Sequence, residues 1–415
     1  MFLYFFLENV ANFHNSCYTI IYKYNFFCIR RFTMEEKAKN RIRFLHCSDI
    51  HLDTPFVGLS ADKSEERRRM LRSSFVKMMQ YVRETNINIV LMSGDIFNIE
   101  YATNTTAEVL IREFKNCPDT EFIISPGKHD YYAGNPIYAS GRLPRNCHVF
   151  SSDKLSRFDF EEHNITVYGW AFMSGEMKES PIYDRQVDDS SRVNIVCAYA
   201  DLNGDIDSTS CPVSTSDLKK FGADYYAFGS RHESSRFASV GASKYSYCGA
   251  LECTGFDEPG LGGANLITVD YKEGEVSIEN KNITFGHIRF ETEQIDVTGV
   301  NTSNEIINKI SQVIGKKKYD GETALKIELT GYVEPYFAVP KNIENDAFGL
   351  YYFKLIDKTL PLFNTESYKR DMSVKGEIFR QFYPILTGED EEARLVAARA
   401  FRIALAALEN RDIDI

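Results

Sequence analysis

The sequence predicts an α/β fold of sheets flanked by helices, followed by a small β-α-β domain and a helical tail. Three observations predict it. Short apolar runs recur in the first half of the chain and three times end in a loop carrying ionisable side chains. Asp49 and His51 follow Ile42, Phe44 and Leu45, Asp95 follows the run from Ile87 to Met92, and His129 and Asp130 follow the run from Glu121 to Ser125. Segments of helical periodicity lie between these runs. The run from Ile87 to Met92 is continuous, broken only by Asn88, as expected of a parallel strand buried on both faces. Ligands of open α/β sheets bind outside the carboxyl ends of the strands, so the three loops mark a candidate site.

Taken in order, residues 1–33 do not share this pattern. They are rich in Phe, Tyr, Asn and Ile, and Arg30 and Arg31 come after the apolar part, the reverse of a signal peptide. No uninterrupted apolar run reaches the roughly 18 residues that span a bilayer. Met34, followed by Glu-Glu-Lys-Ala-Lys, reads as the true start, with residues 1–33 a non-native or disordered leader; a membrane-surface anchor is the competing reading. Beyond the loop from Leu52 to Phe56, Asp62 and Glu65 resemble a capping box. Leu71, Phe75, Met78, Met79 and Val82 then fall on one helical face. Arg67, Arg68, Arg69 and Arg72 read as a solvated face, with a phosphate-facing patch as the alternative. Gly94 permits a tight turn before Asp95, and a helix is expected from Thr106 to Asn116. Further strands are expected at Val193 to Tyr199 and Asp224 to Phe228. Two more, Tyr245 to Gly249 and Leu266 to Tyr271, are expected to close a second sheet.

Composition narrows the classes. A chain of 415 residues has room for about two or three domains. With 43% hydrophobic and 26% charged residues it has the balance of a globular protein. Its net charge of −11 repels nucleic acid, so binding to DNA would need a local basic patch, a metal or a partner. Nine scattered cysteines without a Cys-x-x-Cys pair argue against a disulfide framework or a zinc site, and for a reducing cytosol.

The blocks Asp49-x-His51, Gly94-Asp95, Gly127-Lys128-His129-Asp130 and Gly229-x-x-His232 occur in that order, each at an expected strand end. Together they resemble the calcineurin-like metallophosphoesterases, over roughly residues 41 to 290. His51-Leu52-Asp53-Thr54-Pro55-Phe56 is similar to the SbcD-like DNA-repair exonuclease branch of that superfamily. The resemblance implies a metallophosphoesterase β-sandwich flanked by helices over residues 34–288, a cap domain over 289–360 and a C-terminal helical partner-binding segment over 361–415. It implies phosphodiester hydrolysis at two ions, usually manganese, about 3.5–4 Å apart, which clamp the attacking and leaving oxygens.

Carried over residue by residue, the resemblance assigns the first ion to Asp49, His51, Asp95 and His232. His129 would stabilise the transition state or protonate the leaving group, with Asp130 orienting it. The private ligands of the second ion, an asparagine and two histidines in the family, fall on Lys128, Tyr199 and Ser230. The first site is therefore expected to be intact and the second degenerate. One manganese ion is expected, with the Lys128 ammonium near the vacated position and weakened hydrolysis. The bland alternative is a metal-free hydrogen-bonded network of Asp49, Asp95 and His232. Such groups converging without a cation would repel one another or shift their pKa values.

In the distal part, Glu291 to Val297, a helix from Asn304 to Ile314, and Thr323 to Thr330 as a half-exposed strand make a β-α-β unit, with one more strand from Phe348 to Ile356. The unit is similar to the cap of SbcD-like nucleases. Lys316, Lys317 and Lys318 read as complements of the helix dipole, with a phosphate contact as the alternative. Glu389 to Glu392 open a last helix on which Leu395, Ala398, Phe401, Leu405 and Leu408 recur at three- and four-residue steps. It reads as a docking helix, or more sharply as a surface for the coiled coil of an SMC-like, SbcC-type ATPase, as the resemblance implies. DNA and a second copy of the chain are further candidate partners, and no membrane is expected. Two function classes compete: a metal-dependent phosphodiesterase, in particular a DNA nuclease, and a non-catalytic subunit that keeps the fold and the partner surface.

Overall fold

The computed structural model describes residues 41–409 except positions 58, 206, 236, 273–274, 336, 338, 341–342 and 344. The expectations for residues 1–33 and Met34 lie outside the described residues. The chain divides into two units: Met1–Leu251 with Gly263–Phe285, and Glu252–Gly262 with Gly286–Ile415. Among the described residues no helix is long and apolar enough to cross a membrane.

The first unit begins with β1 (Arg41–Cys47), α1 (Ala61–Thr85), β2 (Ile89–Met92), α2 (Asn104–Lys115), β3 (Glu121–Ile124) and β4 (Cys147–Val149). It continues with β5 (Ser156–Phe160), β6 (Ile165–Gly169), β7 (Val193–Tyr199), β8 (Asp201–Leu202), β9 (Pro212–Val213) and α3 (Thr215–Phe221). It ends with β10 (Tyr225–Gly229), β11 (Ala238–Val240), β12 (Ser243–Tyr247), β13 (Gly263–Lys272) and β14 (Glu275–Thr284). One sheet has the order β14-β13-β1-β2-β3-β4, the other β11-β12-β10-β7-β6-β5.

Alternation along each strand explains the layers. Phe44, Ile89, Leu91 and Ile123 point to a core shared with Val167, Ile195 and Tyr225 of the other sheet. Their neighbours Leu45, Val90, Met92 and Phe122 point to the opposite core, against Leu71, Phe75 and Met78 of α1. On the far side, Val196, Ala198 and Phe228 pack with Leu218 and Phe221 of α3. Each central strand is buried on both faces, which is why the runs read as continuous rather than alternating.

Three expectations need correction here. The stretch from Leu266 to Tyr271 does not close the second sheet. It lies in β13, antiparallel to β1 with Phe44 opposite Ile267, and so covers the β1 edge that β2 leaves open. Helix α1 is capped by Ser60, whose side chain accepts the Lys63 N–H, not by Asp62. The arginines of α1 are not all solvated: Arg67 is buried, with its guanidinium 5.4 Å from the Phe56 ring centre. Arg72 Nε donates to buried Asp53 at 2.6 Å, and Thr106 Oγ1 donates to the same carboxylate at 2.5 Å. Asp53 thus ties the loop after β1 to α1 and α2.

In the second unit, β15 (Arg289–Asp296), α4 (Ser303–Lys317), β16 (Thr323–Thr330) and β18 (Tyr352–Asp357) form a parallel sheet of order β15-β16-β18 with one crossover helix. The strand β17 (Tyr332–Val333) pairs with β19 (Leu360–Pro361). Strand β16 is not half-exposed: as the central strand it is buried except around Lys326 and Thr330. The chain ends in α5 (Thr365–Arg370), α6 (Val374–Leu386) and α7 (Glu391–Leu408). Ala398, Phe401 and Leu405 of α7 are buried against Phe379 and Leu386 of α6. The apolar stripe is therefore core, while Val396 and Leu408 are the exposed apolar residues of α7.

Candidate metal centre

The site lies on the loops that leave β1, β2, β3 and β10. Asp49, His51, Asp95 and Ser230 all have positive φ, at 49°, 50°, 54° and 108°, a conformation that costs non-glycine residues energy and clusters at functional sites. The first two loops hold each other: Asp49 N donates to Gly94 O at 3.0 Å and His51 N to Asp95 O at 2.9 Å. Glycine at 229 is required by close approach, since a Cβ there would run into the Ser93 carbonyl oxygen.

These loops bring Asp49, His51 and His232 together, with one ligand atom of each within 4.8 Å of the others. The two imidazole Nε2 atoms are 3.2 Å apart. His232 Nε2 is 3.8 Å from Asp49 Oδ1, and His51 Nε2 is 3.8 Å from Asp95 Oδ2. Asp95 therefore stands beside His51, outside the tight trio. A residue that the sequence did not point to, Asn98, fixes the histidine. Its Oδ1 accepts from His51 Nδ1 at 2.6 Å, so the Nε2 lone pair faces the site. Ser48 Oγ likewise donates to Asp49 Oδ2 at 2.5 Å.

The three positions that the resemblance assigns to a second ion make other contacts. The Tyr199 ring lies over the two loop glycines: a Cβ on Gly94 or Gly127 would come within 2.8 or 2.7 Å of Tyr199 Cδ2. Burial and the carboxylates of Asp95 and Asp49 push the phenol pKa far up, so it stays neutral. Lys128 Nζ donates to Thr209 Oγ1 at 3.3 Å and forms no ion pair with Asp95. It is not a surrogate cation on that carboxylate. Ser230 Oγ turns back to the Ala200 carbonyl at 2.9 Å, while its N–H donates to Asp49 Oδ2 at 3.2 Å.

His129 stands at the rim with its ring centre 5.3 Å from that of His51. Partial shelter, Lys128 and His232 lower its pKa. Its backbone N–H donates to Asp95 Oδ1 at 2.7 Å. Asp130 is not its orienting partner. The Asp130 carboxylate is buried beneath the loops and accepts from Asp95 N, Ile96 N, Gly127 N and Tyr138 Oη, at 3.0, 3.0, 2.6 and 2.6 Å. It is the shared anchor of two loops, with no oxygen left for the imidazole.

The donors fit a divalent ion. Burial, with Asp130 and Asp49 nearby, raises the pKa of Asp95 well above the carboxylate range. Among the described residues its buried Oδ2 has no hydrogen-bond partner of good geometry, although the nearby Tyr199 hydroxyl favours the charged form. A cation would offset that crowding of negative charge, and two imidazoles with carboxylates suit manganese, iron or zinc.

A family model described as calcineurin-like phosphoesterase matches residues 42–233. The chain is 25% identical over 296 residues to the uncharacterized metallophosphoesterase YhaO of Bacillus subtilis, covering 68% of this chain and 69% of that protein. It is 23% identical over 229 residues to the DNA double-strand break repair protein Mre11 of Methanopyrus kandleri, covering 51% of this chain and 49% of that protein. Among solved structures, a dimetal phosphatase from Danio rerio matches at 11% identity with a TM-score of 0.38, covering 59% of this chain and 99% of that chain. The family match falls on the stretch that carries all four loops, so residues 42–233 are similar to the calcineurin-like phosphoesterases.

Proposed function

We propose that this protein is an SbcD-like member of the DNA-exonuclease branch that works with one divalent ion, manganese by family expectation, and hydrolyses phosphodiesters slowly. The observation that carries the reading is an asymmetry. Asp49, His51 and His232 converge within 4.8 Å, whereas Lys128 and Ser230 bond elsewhere and Tyr199 covers the loop glycines. The similarity to Mre11 supports the branch. The ion, when bound by Asp49, His51, Asp95 and His232, would polarise a phosphoryl oxygen and make a water more acidic.

The chain's own groups do the rest. Asn98 keeps the His51 lone pair on the site. The lowered pKa of His129 favours its neutral imidazole, which can hydrogen-bond a phosphoryl or departing oxygen. It would have to take up a proton first, from the attacking water, before it could protonate that oxygen. With Tyr199 neutral and buried, that position offers no charge to the departing oxygen, in keeping with slow turnover. The second reading is a non-catalytic subunit that binds an SMC-like ATPase or DNA, and the Tyr199 ring favours it. On either reading the setting is the cytosol, in keeping with free thiols at the described cysteines.

Manganese titration with hydrolysis of bis(p-nitrophenyl) phosphate tests both. One tight ion, lost in Asp49→Ala, with slow turnover supports the first reading. One ion without turnover supports the second. The triple variant Lys128→Asn, Tyr199→His, Ser230→His is expected to bind a second ion and to hydrolyse faster. Two ions and an ordinary family rate in the unmodified chain would overturn both.

A further inference from the structure

Two cations lie next to the site residues in the chain, Lys128 before His129 and Arg231 before His232, and among the described residues neither pairs with Asp95. Lys128 Nζ is bonded to Thr209 Oγ1 at 3.3 Å, and Lys128 directly precedes His129 in the chain. Arg231, one residue before His232, is half-exposed. Its Nη2 donates to Asp201 Oδ1 at 3.1 Å and to the Leu202 carbonyl at 2.9 Å. Its guanidinium lies 4.8 Å from the centre of the Tyr247 ring. Ser208 Oγ donates to the other oxygen of Asp201 at 3.2 Å. Lys128 and Arg231 are thus held by neighbouring residues of one segment, Asp201 and Leu202 for the arginine and Thr209 for the lysine.

These contacts use only part of each cation. Arg231 carries five N–H donors, and its Nε and Nη1 make no hydrogen bond among the described residues. Among the described residues the Lys128 ammonium makes one hydrogen bond, of the three it can donate. Asp201 offsets part of the arginine's charge and fixes the plane of its fork. On a chain of net charge −11, two cations beside the metal ligands are a local feature, not general basicity. A fixed fork and a mobile ammonium beside hydroxyl groups are the chemistry that takes a phosphate.

We propose that Lys128 and Arg231 form an anion subsite that holds a second phosphate of a nucleic-acid strand, next to the one presented to the metal centre. This rests on the phosphodiesterase reading above and adds a substrate requirement: at least two phosphates. A one-phosphate diester reaches the metal ligands but leaves the subsite empty.

The test is the salt dependence of binding to the full chain with manganese, for a short thymidylate oligomer and for thymidine 5′-(p-nitrophenyl phosphate). Lys128→Gln and Arg231→Gln are each expected to weaken oligomer binding about tenfold and to reduce the slope of log K against log salt by about 0.7. The affinity of Arg231→Gln for the one-phosphate ester is expected to change less than twofold. Arg231→Lys, which keeps the charge, should restore the slope, and Lys244→Gln on β12 should leave it unchanged. Equal losses for both ligands, or no loss for the oligomer, would overturn the subsite. Manganese stoichiometry, read in the same samples, separates the two ideas: two bound ions would defeat the one-ion reading, while the slope alone decides the subsite.

Discussion

His46 lies in β1 between two sheets, fully buried. Its Nε2 donates to the Phe228 carbonyl at 3.2 Å and its Nδ1 accepts from the Tyr225 hydroxyl at 2.9 Å. Burial lowers its pKa from 6.5 to about 3. The unfolded chain takes up this proton near pH 6.5 and the folded chain does not. The histidine's contribution to stability is therefore fully present above that pH and is lost as pH falls toward 3, at about 1.4 kcal/mol per pH unit. His46→Gln is expected to remove that slope between pH 6 and 4 in urea unfolding; an unchanged slope would mean that the ring protonates in place. Asp130 sets a second test. Asp130→Ala strips the acceptor from three backbone N–H groups and the Tyr138 hydroxyl. The expected loss is about 3–5 kcal/mol, with weaker manganese binding because the loops of Asp95 and His129 lose their anchor. A variant of normal stability would show that water replaces the carboxylate. The sequence made Asp130 visible as a loop residue but not its role: an aspartate beside a histidine looks the same whether it orients the ring or sits beneath it.

At the scale of elements, the apolar stripe of α7 announced that a face is buried without saying by what. Its cover is α6, which brings Phe379 against Phe401 with ring centres 6.2 Å apart. Phe401→Ala is expected to cost about 3–5 kcal/mol and to make α6 and α7 susceptible to limited proteolysis, while manganese binding at Asp49 stays intact. If an SMC-like ATPase does dock on α7, Val396→Asp on the exposed face should block co-purification without that susceptibility. The strand-end loops were legible because a strand buried on both faces must stop where polar side chains begin. The place of β13 was not legible, since pairing with β1 depends on which edge remains open, and local sequence carries no record of that. Arg67 and Arg72 were misread for a similar reason: a guanidinium pairs with whatever loop lies beneath, here Phe56 and Asp53.

For the whole first unit, the metal centre joins two sheets. Asp49, His51 and Asp95 follow strands of one sheet and His232 follows a strand of the other. An ion held by all four would bind the folded state alone. Manganese at a hundred times its Kd is expected to add about 2.7 kcal/mol of stability, read as a rise in Tm that Asp49→Ala and chelator both abolish. The order of the first sheet has a consequence of another kind. Strand β1 has its far neighbour in β13, with Arg41 opposite Asp270, so the first of the described strands waits for nearly the last of its unit. Until Gly263–Lys272 leaves the ribosome, the nascent chain carries an open edge that includes Ile42, Phe44 and Leu45, and such edges template aggregation. Chaperone cover is therefore expected to matter at that stage of translation. Chains cut short before Gly263 should gather in the insoluble fraction, even though every residue of the metal centre has already been made.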